Sequence, residues 1–116
     1  MIKDRKFPRL NLSCDVEYTV DNEFPASSYH RESSKTKDIS TGGMCFITYN
    51  NLPLGTIIKL KFRLGNEEHP MEVKGRVVWS EMFNIGGMEG WDNGVEFIDI
   101  AEKDRYRILK YIDSRL

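Results

Sequence analysis

Apolar and polar residues alternate with a period of two along most of the chain. The clearest case is "IKLKFRL" at 58–64, in which every second residue is apolar and the residues between are basic. The stretches "CDVEYTV" at 14–20 and "MEVKGRVVW" at 71–79 alternate in the same way, the second with Trp79 on the apolar side. A period of two is typical of strands that bury one face in an antiparallel sheet. These stretches therefore predict half-buried antiparallel strands.

Further stretches complete the predicted sheet. Strands are favoured by "GMCFITY" at 43–49, "GVEFIDI" at 94–100 and the shorter "KTKDIS" at 35–40. Polar or glycine-rich stretches are expected to connect the strands as loops and turns, at 21–34, 50–56 and 82–93.

The period changes at the C-terminal end of the chain. Asp99 is predicted to be the N-cap of a helix, with Glu102 three residues later in a capping-box pattern. Apolar residues then recur near one helical face, at Ala101, Ile108, Leu109, Ile112 and Leu116. This spacing predicts one amphipathic helix after the strands.

The elements together predict an all-β fold, a six-stranded antiparallel β-barrel followed by a C-terminal α-helix. Strands of this number and length usually close into a small barrel, which removes exposed edges. We expect a single domain over residues 1–116, with a flexible segment at 1–9, the barrel at 10–99 and the helix at 100–116.

Composition narrows the classes of function. The formal net charge is −1, whereas a general nucleic-acid binder would usually be basic. No apolar run is long enough to span a bilayer and the first residues lack a signal peptide, so we expect a cytoplasmic protein with no membrane insertion. Cys14 and Cys45 are expected to be reduced and core-facing. His30 and His69 are isolated, so no metal site and no catalytic set of nucleophile and base is predicted.

Two short stretches carry chemistry that the fold alone does not need. In "DISTGGM" at 38–44, Asp38 and Ser40 are two residues apart, so on a strand their side chains lie on one face. Two glycines follow, which leave the backbone bare for a ligand. The stretch "DRKFPRL" at 4–10 adds two arginines four residues apart. A carboxylate can accept from a guanine edge, while arginine binds guanine or phosphate through its planar fork.

The order of these two stretches resembles the paired RxxxR and [DN]xSxxG motifs of the PilZ domain family. "RKFPR" at 5–9 corresponds to the first motif and "DISTGG" at 38–43 to the second. "GRVVWS" and "GVEFIDI" are similar to the late strands of that family. The resemblance implies a six-stranded antiparallel barrel that binds the second messenger cyclic di-GMP and needs no other cofactor.

The resemblance also implies roles for individual residues. Arg5 and Arg9 would hold guanine and phosphate, with Lys6 beside them. Asp38 and Ser40 would hold a guanine edge and neighbouring polar atoms. The glycines would let the ligand approach one face of the barrel, Gly43 directly and Gly94 from a late strand.

The resemblance implies a non-enzymatic receptor that relays the messenger to an unidentified downstream protein, such as flagellar, pilus or exopolysaccharide machinery. One alternative is a PilZ-like interaction module in pilus or flagellar function that does not bind nucleotide. A barrel that binds single-stranded nucleic acid is opposed by the balanced charge, and an enzyme by the lack of a catalytic set. The apolar residues of the 82–91 segment form either a partner surface or a loop folded over the barrel end: Met82, Phe83, Ile85, Met88 and Trp91.

Overall fold

Six strands close into an antiparallel barrel in the order β1-β2-β3-β6-β5-β4. The computed structural model of the protein describes residues 10–20, 31–65 and 67–115. A helix follows the last strand, so the predicted fold class is confirmed. The elements are β1 Leu10–Val20, β2 Arg31–Ser40, β3 Gly43–Thr48, β4 Ile57–Phe62, β5 Met71–Ile85, β6 Met88–Asp99 and α1 Glu102–Asp113.

The alternating apolar residues fill the interior of the barrel. One row of paired residues crosses four strands and is fully or almost fully buried: Ile39, Met44, Val95 and Val77. Tyr18 and Phe46 meet edge to face inside the barrel, with ring centroids 5.3 Å apart. Burying a side chain of this size stabilises the fold by about 1.5–3 kcal/mol, so the period-two pattern is the main determinant of the barrel.

Helix α1 covers the end of the barrel at which β2, β4 and β6 finish. Ile108 and Ile112 are buried and belong to the same apolar cluster as the strands. The guanidinium of Arg107 holds the helix to the β4–β5 connection, with its Nε 2.9 Å from Glu67 Oε1. This hydrogen bond raises the pKa of Arg107 above its ordinary value, although burial opposes the shift. In the described part of the chain, no helix is both long and apolar enough to cross a membrane.

Several boundaries differ from those that the sequence predicts. Residues 31–34 belong to β2 and not to a loop, while 21–30 lie outside the described residues. The N-cap of α1 is Ala101, which makes no side-chain cap hydrogen bond. Asp99 is instead the last residue of β6 and pairs with Lys74. The strand ladder therefore continues through the position that the capping pattern assigned to the helix.

The predicted connection at 82–93 is a β-hairpin and not a loop. Strands β5 and β6 stay paired to Ile85 and Met88, and Gly86 and Gly87 form the turn with φ of 59° and 86°. Two consecutive residues with positive φ are typical of a type I′ turn, which matches the twist of a hairpin. We call residues 81–92 the ribbon, because here the two strands extend past the end of the barrel opposite α1.

The position of Trp79 also differs from the prediction. A bulge lies between Val77 and Trp79, so Val77 faces Val95 inside the barrel whereas Trp79 faces Gly94. A bulge adds one residue to one strand, which reverses the sides of all residues that follow. Trp79 therefore lies on the outer side of the sheet, partly buried, and not in the core.

Candidate functional site

Four of the candidate residues lie on one outer face of the barrel. Asp38 of β2 pairs with Cys45 of β3, which pairs with Gly94 of β6. In the adjacent outer row, Ser40 of β2 pairs with Gly43 of β3. Residues that are paired across neighbouring strands share a face, and strands are about 4.8 Å apart. Asp38 and Gly94 are thus separated by two strand spacings, or about 10 Å. We call this surface of β2, β3 and β6 the motif face.

Ser40 is almost completely buried and is engaged in the β2–β3 turn. Its hydroxyl donates to the carbonyl of Gly43 at 3.4 Å and accepts from the amide of Gly42 at 3.2 Å. A serine that bonds its own turn is a common way to fix a tight connection. In this structure the hydroxyl shapes the turn.

Gly43 has a packing reason to be a glycine. A Cβ atom at this position would lie 2.1 Å from the carbonyl oxygen of Val95 on the neighbouring strand. Because that atom belongs to the backbone, it cannot move without shifting β6. Close approach of two strands therefore requires glycine here, whether or not a ligand binds.

Gly94 lies under the indole of Trp79. A Cβ atom at Gly94 would come within 2.0 Å of the indole Nε1 atom. Trp79 thus continues the row of Asp38 and Gly94 across a fourth strand, β5. The alternating sequence pattern gives no sign of the bulge before Trp79 and therefore predicts this residue in the core.

The β2–β3 turn is held in place from two sides. The carbonyl of Gly42 accepts from the amide of Phe97 at 2.9 Å, and the carbonyl of Thr41 accepts from Arg105 Nη1 at 2.9 Å. Arg105 comes from α1, and no sequence pattern connects this helix with the motif. Two anchors from distant parts of the chain make this turn a fixed platform.

The charges of the motif face are mixed. Asp38 and Glu96 are acidic, and Arg76, which pairs with Glu96, is basic. The three basic candidates, Arg5, Lys6 and Arg9, lie outside the described residues. Described residues of this face therefore offer oxygen acceptors but little positive charge for an anion, and the backbone of Gly43 and Gly94 is buried.

The cysteines differ in position. Both are free thiols in the structure, as expected. Cys14 packs against the apolar cluster of the core. Cys45 is buried, whereas Cys14 is partly buried, and Cys45 lies in the row of Asp38 and Gly94, on the outer side of the sheet and not in the core.

A cavity of about 690 Å³ lies elsewhere, along β1, β4 and β5. Its charged lining side chains are three basic and three acidic: Lys59, Lys61, Lys74, Glu17, Glu72 and Asp99. Within the described residues, no group of three or more His, Cys, Asp or Glu side chains could hold a metal ion. The motif face remains the best candidate for ligand binding.

Comparison with known proteins agrees with this architecture. The family model described as "PilZ domain" matches residues 3–114, which is nearly the whole chain. The chain belongs to the PilZ domain family. No curated protein sequence matches it.

Solved structures similar to this PilZ chain share its fold at low sequence identity. The Bacillus subtilis inhibitor of motility MotI/DgrA has a TM-score of 0.76 and 24% identity, over 98% of this chain and 52% of that one. The PilZ domain of YcgR from Escherichia coli with c-di-GMP has a TM-score of 0.74 and 12% identity, over 97% and 91%.

The K. pneumonia MrkH–c-di-GMP complex has a TM-score of 0.76 and 18% identity, over 97% of this chain and 52% of that one. This PilZ chain thus spans about half the length of MotI/DgrA and of MrkH.

Proposed function

We propose that this PilZ protein is a cytoplasmic receptor for cyclic di-GMP, which binds on the motif face. The observation that supports this proposal best is the shared outer face of Asp38, Ser40, Gly43 and Gly94, which come from three different strands. Its PilZ family membership and the c-di-GMP named in the YcgR and MrkH structures support the same ligand.

The motif face has the chemistry that a guanine base requires. The carboxylate of Asp38 is partly exposed and can accept from the N1–H and N2 amine of guanine. Gly43 adds no side chain beside that carboxylate, while Cys45 lies between Asp38 and Gly94 and the indole of Trp79 covers Gly94. The indole of Trp79 at the end of the row offers a flat surface on which a base can stack.

Charge explains why the N-terminal segment belongs in the proposal. Cyclic di-GMP carries two phosphates, whereas the described motif face carries acids as well as Arg76. The cations for the phosphates would come from Arg5 and Arg9, with Lys6 adding a third charge. Charge-assisted hydrogen bonds from a guanidinium contribute about 1.5–3 kcal/mol each, enough to draw a short basic segment onto the ligand.

In this mechanism the protein is a receptor and not an enzyme. Binding would order the basic segment over the motif face, and the changed surface would be recognised by a downstream protein such as flagellar, pilus or exopolysaccharide machinery. No nucleic acid takes part, and no further cofactor is needed.

A second candidate is a PilZ interaction module that does not bind nucleotide. It is favoured because the fold itself requires Ser40 and Gly43. Ser40 forms the turn hydrogen bonds, and Gly43 lies too close to Val95 for a side chain. Under this alternative, part of the second motif is retained for folding alone.

Calorimetric titration with cyclic di-GMP decides between the two functions. The receptor requires saturable binding that GTP and cyclic GMP do not reproduce. The interaction module requires that no heat of binding is seen for any of the three nucleotides, with a protein that melts cooperatively.

A further inference from the structure

The ribbon presents apolar side chains to solvent at the end of the barrel opposite α1. Ile85 is 73% exposed, Met88 60% and Met82 58%, which are high values for residues of this type. The hairpin is nevertheless well formed, since Asn84 Oδ1 accepts from the amide of Gly87 across the turn at 3.1 Å. Exposed apolar residues on a formed hairpin are typical of a binding surface.

One backbone edge of the ribbon is open in the described part of the chain. The last backbone hydrogen bonds on the β4 side of β5 are those of Val77 with Gly55 and Thr56, at 2.8 and 2.9 Å. Among the described residues, no strand is paired with 78–85 on that side. An open strand edge is a template on which an extended segment of another protein can pair.

The charge of the ribbon is of one sign. Residues 81–92 include three acids, Glu81, Glu89 and Asp92, and no basic residue. Two copies of this chain that paired through their ribbons would bring six acidic residues together without a cation, which opposes self-association. Nucleic acids and anionic membranes would be repelled for the same reason.

We propose that the free edge of β5 is a strand-addition site for a partner protein segment that carries a basic residue and two apolar residues at every second position. In an added antiparallel strand, directly opposed residues share a face. A basic side chain opposite Glu81 would then lie on the same face as apolar residues opposite Phe83 and Ile85. Met82 offers an apolar contact on the other face.

This site is distinct from the motif face, so its failure would leave the cyclic di-GMP proposal intact. It is tested with the full chain and two labelled synthetic peptides of equal length. Both carry the same two apolar residues and one charged residue at every second position, with small polar residues between them, and the charged residue is lysine in one peptide and glutamate in the other. Fluorescence anisotropy measures their affinities at low and high salt.

Two ribbon variants have matched controls. Glu81→Lys reverses a ribbon charge, and its control is Glu68→Lys, a charge reversal at an exposed acid outside the ribbon. Ile85→Ser combined with Met88→Ser removes exposed apolar surface, and its control is Leu109→Ser, since Leu109 is 41% exposed on α1 at the opposite end of the barrel. Thermal melts establish that each variant is folded. If the double variant does not fold, Glu81→Lys alone tests the proposal.

We expect the lysine peptide to bind the wild type at least about tenfold more tightly than the glutamate peptide does. The affinity of the lysine peptide should fall at high salt. Each ribbon variant should lose about tenfold in affinity for the lysine peptide, and the controls less than about twofold. Equal binding of the two peptides, undiminished binding by the ribbon variants, or no binding at all would overturn the proposal. A dimer that is seen in sedimentation and abolished by Ile85→Ser with Met88→Ser would also overturn the proposal, because the β5 edge would then bind a second copy of this chain.

Discussion

The guanidinium of Arg105 in α1 donates a hydrogen bond to the carbonyl of Thr41, 64 residues earlier in the chain, at 2.9 Å. Thr41 lies inside the second motif, between Ser40 and Gly43. The C-terminal helix is thereby joined to the turn that shapes the motif face. Arg107, on the same helix, instead contacts Glu67 and the carbonyl of His69 in the β4–β5 connection. Two arginines of one helix thus hold two different loops.

Arg105→Ala should weaken ligand binding through the turn. A single hydrogen bond of this kind contributes about 1 kcal/mol, so we expect a small loss of thermal stability. Because the turn positions Asp38 and Gly43, cyclic di-GMP affinity should fall by about three- to tenfold in calorimetry, which is about 0.6–1.4 kcal/mol. Arg107→Ala is the control, since it should lower stability while leaving affinity unchanged. Equal effects of the two variants on affinity would mean that the helix acts only through general stability.

Gly43→Ala should destabilise the fold more than Gly94→Ala. The new methyl at position 43 meets the backbone carbonyl of Val95, which only a shift of β6 can relieve. At position 94 it meets the indole of Trp79, a side chain that can turn away. Overpacking typically costs about 1–3 kcal/mol, and we expect Gly43→Ala at or above the upper end of that range in urea unfolding.

The side chain of Trp79 provides the control for this ranking. Combining Gly94→Ala with Trp79→Ala should cost less than the sum of the two single changes, because the second removes the atoms that the methyl meets. A purely additive result would contradict the packing of Trp79 on Gly94.

Much of the barrel could be predicted from the sequence because burial on one face imposes a period of two. Residues 58–64 alternate without interruption, and Ile58, Leu60, Phe62 and Leu64 are all buried. The ribbon could not be predicted in the same way. Beyond the barrel the ribbon has no core to pack against, so burial no longer imposes a period of two on its residues. The Gly-Gly turn then resembles a loop in the sequence.

The candidate site was predictable in part. Asp38 and Ser40 lie two apart on β2, so their shared outer face follows from strand geometry. The position of Trp79 beside Gly94 could not be foreseen, because the bulge after Val77 depends on pairing with β6. Arg105 could not be foreseen either, since a contact over 64 residues leaves no local pattern.

Asn93→Asp should destabilise the protein in a pH-dependent way. Asn93 is fully buried, and its Nδ2 donates to Thr48 Oγ1 at 2.9 Å and to the carbonyl of Phe46 at 3.3 Å. An ionised aspartate cannot donate and would face those oxygens, so its folded-state pKa should be raised. The native variant would then bind more protons than the unfolded chain, and its stability should fall as the pH rises. We expect a loss of about 2–4 kcal/mol against wild type at neutral pH, and less in mild acid.

The same change at Asn84 is a control for Asn93→Asp. Asn84 is exposed and only accepts from Gly87. An aspartate there can also accept, so Asn84→Asp should be nearly neutral across the same pH range. A flat pH profile for Asn93→Asp would show that the interior near Thr48 admits water.

Arg9→Lys should reduce cyclic di-GMP affinity although the charge is kept. Lysine cannot present the planar fork that matches guanine or phosphate, so we expect a loss of about tenfold or more in calorimetry. Lys3→Arg is a control at a position outside the motif and should leave affinity unchanged. Asp38→Ala should also weaken binding, with a thermal midpoint within a few degrees of wild type. Equal affinities of wild type and Arg9→Lys would remove Arg9 from the site.

Tryptophan fluorescence should report on the occupied motif face. The chain has two tryptophans, Trp79 beside Gly94 on the motif face and Trp91 in the ribbon. A guanine that binds near Asp38 and Gly94 would contact the indole of Trp79 and change its emission, whereas Trp91 pairs with Thr48 and Met82 further along β6. The change on adding cyclic di-GMP should therefore persist in Trp91→Phe and disappear in Trp79→Phe. The opposite assignment would place the ligand on the ribbon, and the motif face would no longer be the binding surface.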